Sequence, residues 1–240
     1  MKIVVLKLGG TSVGTIDRIK KVADLIVNYA KKKYKLIIVS SAMSGVTNDL
    51  VNKSKNISNN FSNEEYDALV SSGEQAACAL IAGRLIHKGY KSRSWMGWQI
   101  PLITDGSHKY AKINQVYKSN IIRYLKSGGI PIITGFQGVN REGRVTTLGR
   151  GGSDASAIIL AKFFKAERCI IYTDVEGVYT TDPNKLKKAK KIKVISYEEM
   201  LEMASLGSKV MQPVSIQDAR LSRIKVEVKS SFKNISGTLI

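Results

Sequence analysis

The sequence predicts an α/β protein, a three-layer α/β/α sandwich around a mostly parallel sheet. Short apolar runs typical of buried parallel strands alternate with helical patterns along the chain. Two of the strand-to-helix connections are rich in glycine, as is common where such sheets bind ligands. With 240 residues, 43% of them hydrophobic, the chain can bury one large core or two lobes.

The first predicted element is an apolar strand that ends at Lys7 and Leu8. A glycine-rich loop (residues 9–14) and a helical pattern from Ile16 follow it. The loop matches neither the P-loop nor the dinucleotide-binding fingerprint. A lysine at a strand end beside such a loop is typical of a point charge directed at a phosphate. The alternative is a lysine that extends from the strand end into solvent.

A second buried strand (36–40) is followed by small polar residues (41–48), at the strand end where open sheets bind ligands. Polar residues 56–63 predict a mobile loop, and residues 65–87 predict a long helix. Glu74 lies among small residues of that helix, where an unpaired carboxylate would be costly. We therefore expect a cationic partner for Glu74, which is Arg150, a substrate ammonium group or a structural ion pair.

The middle of the chain contains both tryptophans, within residues 94–100, and a core or interface role is expected for them. Residues 115–125 predict a helix and residues 129–135 a buried strand. Residues 140–144 have the composition of a hairpin turn.

The most informative stretch, residues 147–156, has three glycines within four positions and leads into an apolar helix (155–164). Converging N–H groups and the helix dipole make such a loop an anion site. We expect Ser153 or Asp154 to cap the helix. Arg150 adds a fork for a carboxylate or phosphate, and Asp154 places an acidic group beside it. The alternative is an ordinary strand-to-helix turn.

The last third begins with a predicted strand (169–172). Residues 173–183 follow with two turns, three carboxylates and Tyr179, which predict a nucleoside pocket with Tyr179 beside the base; the alternative is simple turn chemistry. Residues 196–206 predict a helix with a serine cap. Residues 207–211 predict the start of another helix, with Lys209 in its first turn. A final core strand is expected over residues 224–228.

Composition excludes several classes of function. The net charge is +19, but the lysines are scattered and lack interleaved aromatic residues, so we expect a solvated surface and no nucleic-acid partner. No apolar run is long enough to span a bilayer, and no membrane partner is expected. The two cysteines predict reduced core thiols in a cytoplasmic protein. With only two histidines, a histidine-built metal site or catalytic triad is not expected.

Two glycine loops at helix starts, two lysines and an Arg–Asp pair fit phosphoryl transfer, in which the protein positions and neutralises phosphates bridged by Mg²⁺. A carboxylate acceptor is already a nucleophile at neutral pH and needs no histidine base. These patterns leave the acceptor open.

The motifs resemble those of the aspartate kinases, in that family's order and across essentially the whole chain. The Lys-x-Gly-Gly (7–10) and Gly-Gly-Ser-Asp (151–154) elements alone would indicate only the wider amino-acid kinase fold. The full set is highly specific. It comprises residues 7–13, 41–47, 73–74, 135–138, 147–154, 172–183, 207–210, 230–232 and 237–239.

The resemblance implies ATP-dependent phosphorylation of the L-aspartate side chain to 4-phospho-L-aspartate. This is the first step toward lysine, threonine, methionine and diaminopimelate. It also implies an aspartate-binding lobe (about 1–140), a nucleotide-binding lobe (about 141–240), and ATP and Mg²⁺ as reactants, with no metal ligand assigned from the protein. The implied catalytic residues are Lys7, Asp154 and Lys209. The implied aspartate-binding residues are Ser41, Thr47, Glu74, Arg150 and Ser153. The implied nucleotide-binding residues are Lys7, Gly9, Gly10, Ser12, Thr173, Asp174, Tyr179, Asp182 and Lys209.

Three departures from the family pattern qualify the resemblance. Leu8 replaces an aromatic residue, which is a packing change. Asn184 replaces an arginine that commonly follows Asp-Pro, and Lys185 is the candidate to replace its charge. The sequence ends at Ile240, where the family continues into ACT regulatory domains, so we expect the regulatory part to be separate or removed. A homodimer is expected as the assembly. A kinase of glutamate or N-acetylglutamate and a non-catalytic binding module stay open as alternatives.

Overall fold

The computed structural model describes residues 2–32, 34–183, 185–208 and 210–240. The predictions made for Asn184 and Lys209 therefore lie outside the described residues. The helices are α1 (Ile16–Lys31), α2 (Val46–Ile57), α3 (Asn63–His87), α4 (Ser119–Lys126), α5 (Gly152–Phe163), α6 (Tyr197–Ser205) and α7 (Pro213–Ser222). The strands are β1 (Ile3–Leu8), β2 (Lys35–Ser40), β3 (Ser92–Trp95), β4 (Leu102–Thr104), β5 (Ile113–Val116), β6 (Ile130–Thr134), β7 (Gln137–Val139), β8 (Val145–Thr147), β9 (Arg168–Thr173), β10 (Val226–Ser230) and β11 (Thr238–Leu239).

Within the described residues, seven strands form the main sheet in the order β11-β10-β9-β1-β2-β6-β3. Every pair in it is parallel except the edge pair of β10 and β11. The register aligns Leu8 with Ser40 and Tyr172, and Ser40 with Thr134. The carboxyl ends of the four neighbouring strands β9, β1, β2 and β6 therefore lie side by side at one end of the sheet. The predicted α/β class with a mostly parallel sheet is confirmed.

Strand β1 is the middle strand of the seven-stranded sheet, and its alternate side chains enter two different cores. Val4, Leu6 and Leu8 pack in the core that α1 and α3 cover, and Ile3 and Val5 pack in the core that α5 covers. All five are at most 5% exposed. The continuous apolar run in the sequence is explained by this burial on both faces.

A second, four-stranded sheet in the order β5-β4-β7-β8 was not expected from the sequence. It contains residues Gln115 and Val116, so the predicted helix over 115–125 was wrong in its first part. Ile113 and Val116 are buried three residues apart, a spacing that also suits a helix. The antiparallel pairing of Val116 with Leu102 decides in favour of a strand. The hairpin turn at 140–144 is confirmed, since it joins β7 to β8.

Two further boundaries differ from those expected. The loop predicted over 56–63 is shorter, because α2 continues to Ile57 and α3 begins at Asn63. The helix expected to open at 207–211 begins at Pro213, which has a fixed φ suited to the first helical position and no N–H to leave unpaired. The cap of α6 is as expected, with the Ser196 hydroxyl accepting from the Glu199 N–H.

Cys78 and Cys169 are fully buried and unbonded, and burial raises the pKa of both thiols above the ordinary value. This agrees with the predicted core thiols. Among the described helices, none combines the length and the apolar character that crossing a membrane would require.

Candidate active site

A buried ion pair joins the end of β1 to the start of α5. The Lys7 Nζ lies 2.7 Å from Asp154 Oδ1, and the two side chains are 12% and 11% exposed. Because opposite charges attract more strongly away from water, the pair holds the ammonium group in one place. The structure thus brings together Lys7 and Asp154, two of the three predicted catalytic residues.

The start of α5 differs from the expected cap. The residue before the helix is Gly151, with φ +74°, and no side chain caps the helix, so the expected capping by Ser153 or Asp154 was wrong. A glycine is suited to this positive φ. The Asp154 carboxylate instead reaches Lys7. Ser153 packs against Gly135, where a β-carbon would lie only 2.8 Å from the Ser153 Cβ.

The glycine loop after β1 is tied to the ends of β9 and β10. The Gly9 N–H donates to the Tyr172 carbonyl at 3.1 Å. The Ser12 Oγ, which is fully buried, lies 2.5 Å from the Ser231 Oγ. Ser231 was not among the predicted site residues, although the motif at 230–232 was a signal. These bonds place Gly9, Gly10 and Ser12 at the carboxyl end of β1, beside Lys7.

Glu74 carries a buried carboxylate that is only half satisfied. Its Oε1 accepts from the Ala42 N–H at 3.1 Å, and its Oε2 has no hydrogen-bond partner. The residue is 3% exposed, and burial raises the pKa of its carboxyl group to about 7. Glu74 forms no ion pair with any residue that the structure describes, so Arg150 and a structural ion pair within those residues are wrong as its partner. A ligand cation is the alternative that stays.

The other predicted aspartate-binding residues lie around the same edge. Ser41 directly follows β2, and its N–H donates to the Leu8 carbonyl. Thr47 is in the first turn of α2, and Ser153 is in the first turn of α5. Arg150 is exposed in the turn before α5, and it forms no ion pair with a described residue. These residues therefore lie at three places in the fold, the end of β2, the start of α2 and the start of α5.

The predicted nucleotide-binding residues follow β9. Thr173 ends that strand, and its hydroxyl donates to Asp174 Oδ1 at 3.1 Å. The Tyr179 hydroxyl donates to Glu176 Oε2 at 3.0 Å, so the ring is held by its own turn. Hydrogen bonds from Lys233 and Tyr179 lower the pKa of Glu176. Asp182 is exposed, and Lys209 lies outside the described residues.

A buried acid on α3 was missed by the sequence analysis. Asp67 is fully buried and accepts hydrogen bonds from the Thr147 N–H and hydroxyl, the Lys109 N–H and His108 Nδ1. Asp67 thereby attaches the end of β8 to α3. The attached residue, Thr147, is three residues before Arg150 in the sequence. The available signal was the helical spacing of Asp67 from Val70, Ala77 and Ile81, which places the carboxylate on the buried face of α3.

Comparison with known proteins gives concordant matches. A model described as "Amino acid kinase family" matches residues 2–230. An aspartokinase of Geobacillus stearothermophilus is 48% identical over 240 residues, 100% of this chain and 59% of that protein. A crystal structure of aspartate kinase from Synechocystis has a TM-score of 0.89 at 39% identity, covering 99% of this chain and 39% of that one. E. coli aspartokinase III in complex with aspartate and ADP has a TM-score of 0.89 at 30% identity, covering 99% and 64%.

The raised pKa of Glu74 predicts a pH-dependent stability. A carboxyl group whose pKa rises from 4.5 to about 7 on folding binds more protons in the native state between these values, so stability falls as pH rises through this window. The shift corresponds to about 3 kcal/mol. We expect Glu74→Gln to match the parent below pH 4.5 and to be more stable by up to that amount above pH 7.

Urea unfolding of the two proteins across this pH range provides the measurement. The exposed Glu142→Gln is the matched control and should show no such divergence. A Glu74→Gln difference that is constant with pH would contradict the assignment of a neutral buried carboxyl group.

Proposed function

The chain belongs to the amino acid kinase family, and from that premise we propose that it transfers the γ-phosphoryl group of ATP to the side-chain carboxylate of L-aspartate. The products are 4-phospho-L-aspartate and ADP, and the reaction is the first step toward lysine, threonine, methionine and diaminopimelate. The observation that carries the proposal is the Lys7–Asp154 ion pair at the carboxyl ends of the parallel strands. The loop after β2 begins at these same strand ends, and its Ala42 N–H donates to Glu74, whose second carboxylate oxygen is unpaired. The similarity to aspartate kinases supports the choice of acceptor.

The transfer needs no general base. An aspartate carboxylate oxygen attacks the γ-phosphorus, the new P–O bond forms, and the bond to the β–γ bridging oxygen breaks with its electron pair leaving on ADP. Because the acceptor is already ionised, no proton has to be removed. The work of the protein is therefore to place the two reactants and to neutralise charge.

Lys7 is proposed to bind the transferring phosphoryl oxygens. A cation held in place before the reaction stabilises the charge that develops there without reorganising. Asp154 acts through Lys7 by holding its ammonium group at 2.7 Å. The resemblance assigns Lys209 to the same phosphoryl group, with Asp154 orienting both lysines.

Magnesium is proposed to enter as the MgATP substrate. The described residues contain no group of three or more His, Cys, Asp or Glu side chains placed to hold a metal ion. Magnesium binds readily through phosphate oxygens and water. When bound, it neutralises charge on the phosphates.

Recognition of aspartate is proposed to use charge at both ends of the amino acid. The unpartnered Glu74 Oε2 would accept from the α-ammonium group, which would restore the ionised form of a carboxyl group whose pKa burial raises. The exposed guanidinium of Arg150 would form a fork with the α-carboxylate. Ser41, Thr47 and Ser153 would supply hydroxyl groups.

The nucleotide side is proposed to combine the first loop with the segment after β9. Gly9, Gly10 and Ser12 would hold phosphates. The proposed nucleotide-contacting residues of the later segment are Thr173, Asp174, Tyr179 and Asp182. We propose about residues 1–140 as the aspartate-binding lobe and about residues 141–240 as the nucleotide-binding lobe. The loop with Gly9, Gly10 and Ser12, and the turn with Arg150 and Ser153, would each contact the ligand of the other lobe.

The chain spans about three fifths of the length of the curated relative it matches at 48% identity. The homodimer, the separate or removed ACT part and the cytoplasmic location accordingly stay predictions.

A hydroxamate assay with MgATP tests the reaction directly, because hydroxylamine traps the acyl phosphate. We expect product with L-aspartate and little with glutamate or N-acetylglutamate. Turnover that prefers either of the other two acceptors would replace aspartate as the substrate. Absence of turnover with all three would favour a non-catalytic module.

Removing the Lys7 ammonium group is expected to lower kcat by about 10²–10³-fold, since a preorganised charge acts mainly in the transition state. Steady-state kinetics of Lys7→Ala provide the measurement. Lys53→Ala, which loses an exposed pair with Asp49 on α2, is the control and should turn over normally. Near-normal kcat in Lys7→Ala would exclude the proposed role.

Arg150→Ala should mainly raise the KM for aspartate, by about tenfold or more, because one charge-assisted fork is lost. The KM for ATP should change little. The exposed Arg141→Ala in the β7–β8 turn is the matched control. An equal rise in both Michaelis constants would argue against a contact specific to the amino acid.

A further inference from the structure

We propose that a cleft at the far edge of the main sheet, between β3 and α4, binds a small organic anion through its phosphate or carboxylate group. The cleft has a volume of about 590 Å³ and is lined by residues that include Arg93, Trp95, Asn120, Arg123 and Tyr124. A volume of this order suits a small molecule. The site is independent of the proposed kinase activity.

The cleft is separate from the candidate active site. In the main sheet, β2 and β6 lie between β1, which carries Lys7, and the edge strand β3. Three strand spacings correspond to about 14 Å. An anion in the cleft therefore does not occupy the position proposed for the transferring phosphoryl group.

Trp95 leaves a buried donor unsatisfied. The residue is 6% exposed, and its indole Nε1 has no hydrogen-bond acceptor among the described residues. Buried N–H groups in folded proteins are nearly always paired, and leaving one unpaired is costly. Trp95 also lines the cleft, so a molecule bound there would contact the residue that carries this unpaired donor.

Two guanidinium groups give the cleft its charge. Neither Arg93 nor Arg123 forms an ion pair with any residue that the structure describes, and no Asp or Glu lines the cleft. The Arg93 guanidinium lies 4.1 Å from the centre of the Trp95 ring. A guanidinium stacked on a ring keeps its in-plane N–H donors available, so it can form the two-pronged bond that phosphate and carboxylate accept.

The aromatic wall favours an organic anion over a simple ion. Trp95 and Tyr124 pack edge to face with ring centres 5.6 Å apart. Lys91 Nζ lies 5.7 Å from the Tyr124 ring centre and adds a third positive charge nearby. The cleft thus combines apolar ring surface with cations, which is the combination that a ligand with an acidic group and a hydrocarbon or ring portion requires.

The test uses the emission of Trp95 in the full chain. The chain has two tryptophans, so the Trp98→Phe protein reports on Trp95 alone. Trp98 is the more exposed of the two and is therefore the one to replace. Phenyl phosphate and benzoate are titrated separately to distinguish the two anionic groups, with benzamide as the neutral probe. We expect a saturable change with at least one anion and none with benzamide.

Variants in the Trp98→Phe background locate the binding. Arg123→Gln and Arg93→Gln are each expected to weaken the anion by about tenfold, because a charge-assisted bond is lost. Arg220→Gln, an exposed arginine of α7, and Lys7→Ala are expected to bind as the parent does. Arg123 is exposed and contributes no described ion pair, so its variant keeps the test interpretable if Arg93→Gln alters the stacking on Trp95.

Absence of saturable binding by both anions overturns the proposal. Equal affinity in the parent and Arg123→Gln overturns it as well, as does loss of binding in Lys7→Ala, which would place the anion at the candidate active site.

Discussion

The ion pair between Lys7 and Asp154 is the contact on which the architecture of the site depends. It joins the central strand of the sheet to the first turn of α5, and both side chains are nearly buried. Separating them would leave two charges in a poorly solvated edge, which is far costlier than losing an exposed pair. The glycine loop, the turn before α5 and the ends of β9 and β10 are all positioned around this fixed ammonium group.

The two buried acids on α3 illustrate how a structural carboxylate differs from one available to a ligand. Asp67 accepts hydrogen bonds from three neighbouring residues and secures the end of β8. Glu74, about two turns later, accepts one backbone N–H and leaves an oxygen unpaired. A buried carboxyl group with an unmet bond destabilises the free protein, and a bound cation would remove that cost. The asymmetry supports the proposal that Glu74 binds a ligand, whereas the hydrogen bonds of Asp67 secure the end of β8.

Much of the fold followed from local patterns, and the failures have specific physical causes. The buried strands β1, β2, β6 and β9 were predicted because burial on two faces leaves continuous apolar runs. The long helix α3 was predicted as well, apart from its first two residues. The last two residues of β5, Gln115 and Val116, were predicted as the start of a helix, and the pairing of β5 with β4 shows that they belong to a strand. The cap of α5 was predicted wrongly because the helix begins at Gly152, so Ser153 and Asp154 lie inside its first turn and Gly151 occupies the cap position.

The sequence by itself determined the alternation of strands and helices, the glycine loops at two helix starts and the charged residues within them. These features are local, because hydrophobic periodicity and turn chemistry depend on neighbouring residues. Tertiary structure alone decided that Asp154 meets Lys7, that Glu74 Oε2 has no hydrogen-bond partner among the described residues and that Trp95 lines a cationic cleft. Such relations depend on where distant segments of the chain meet in space, and the order of residues does not contain those distances.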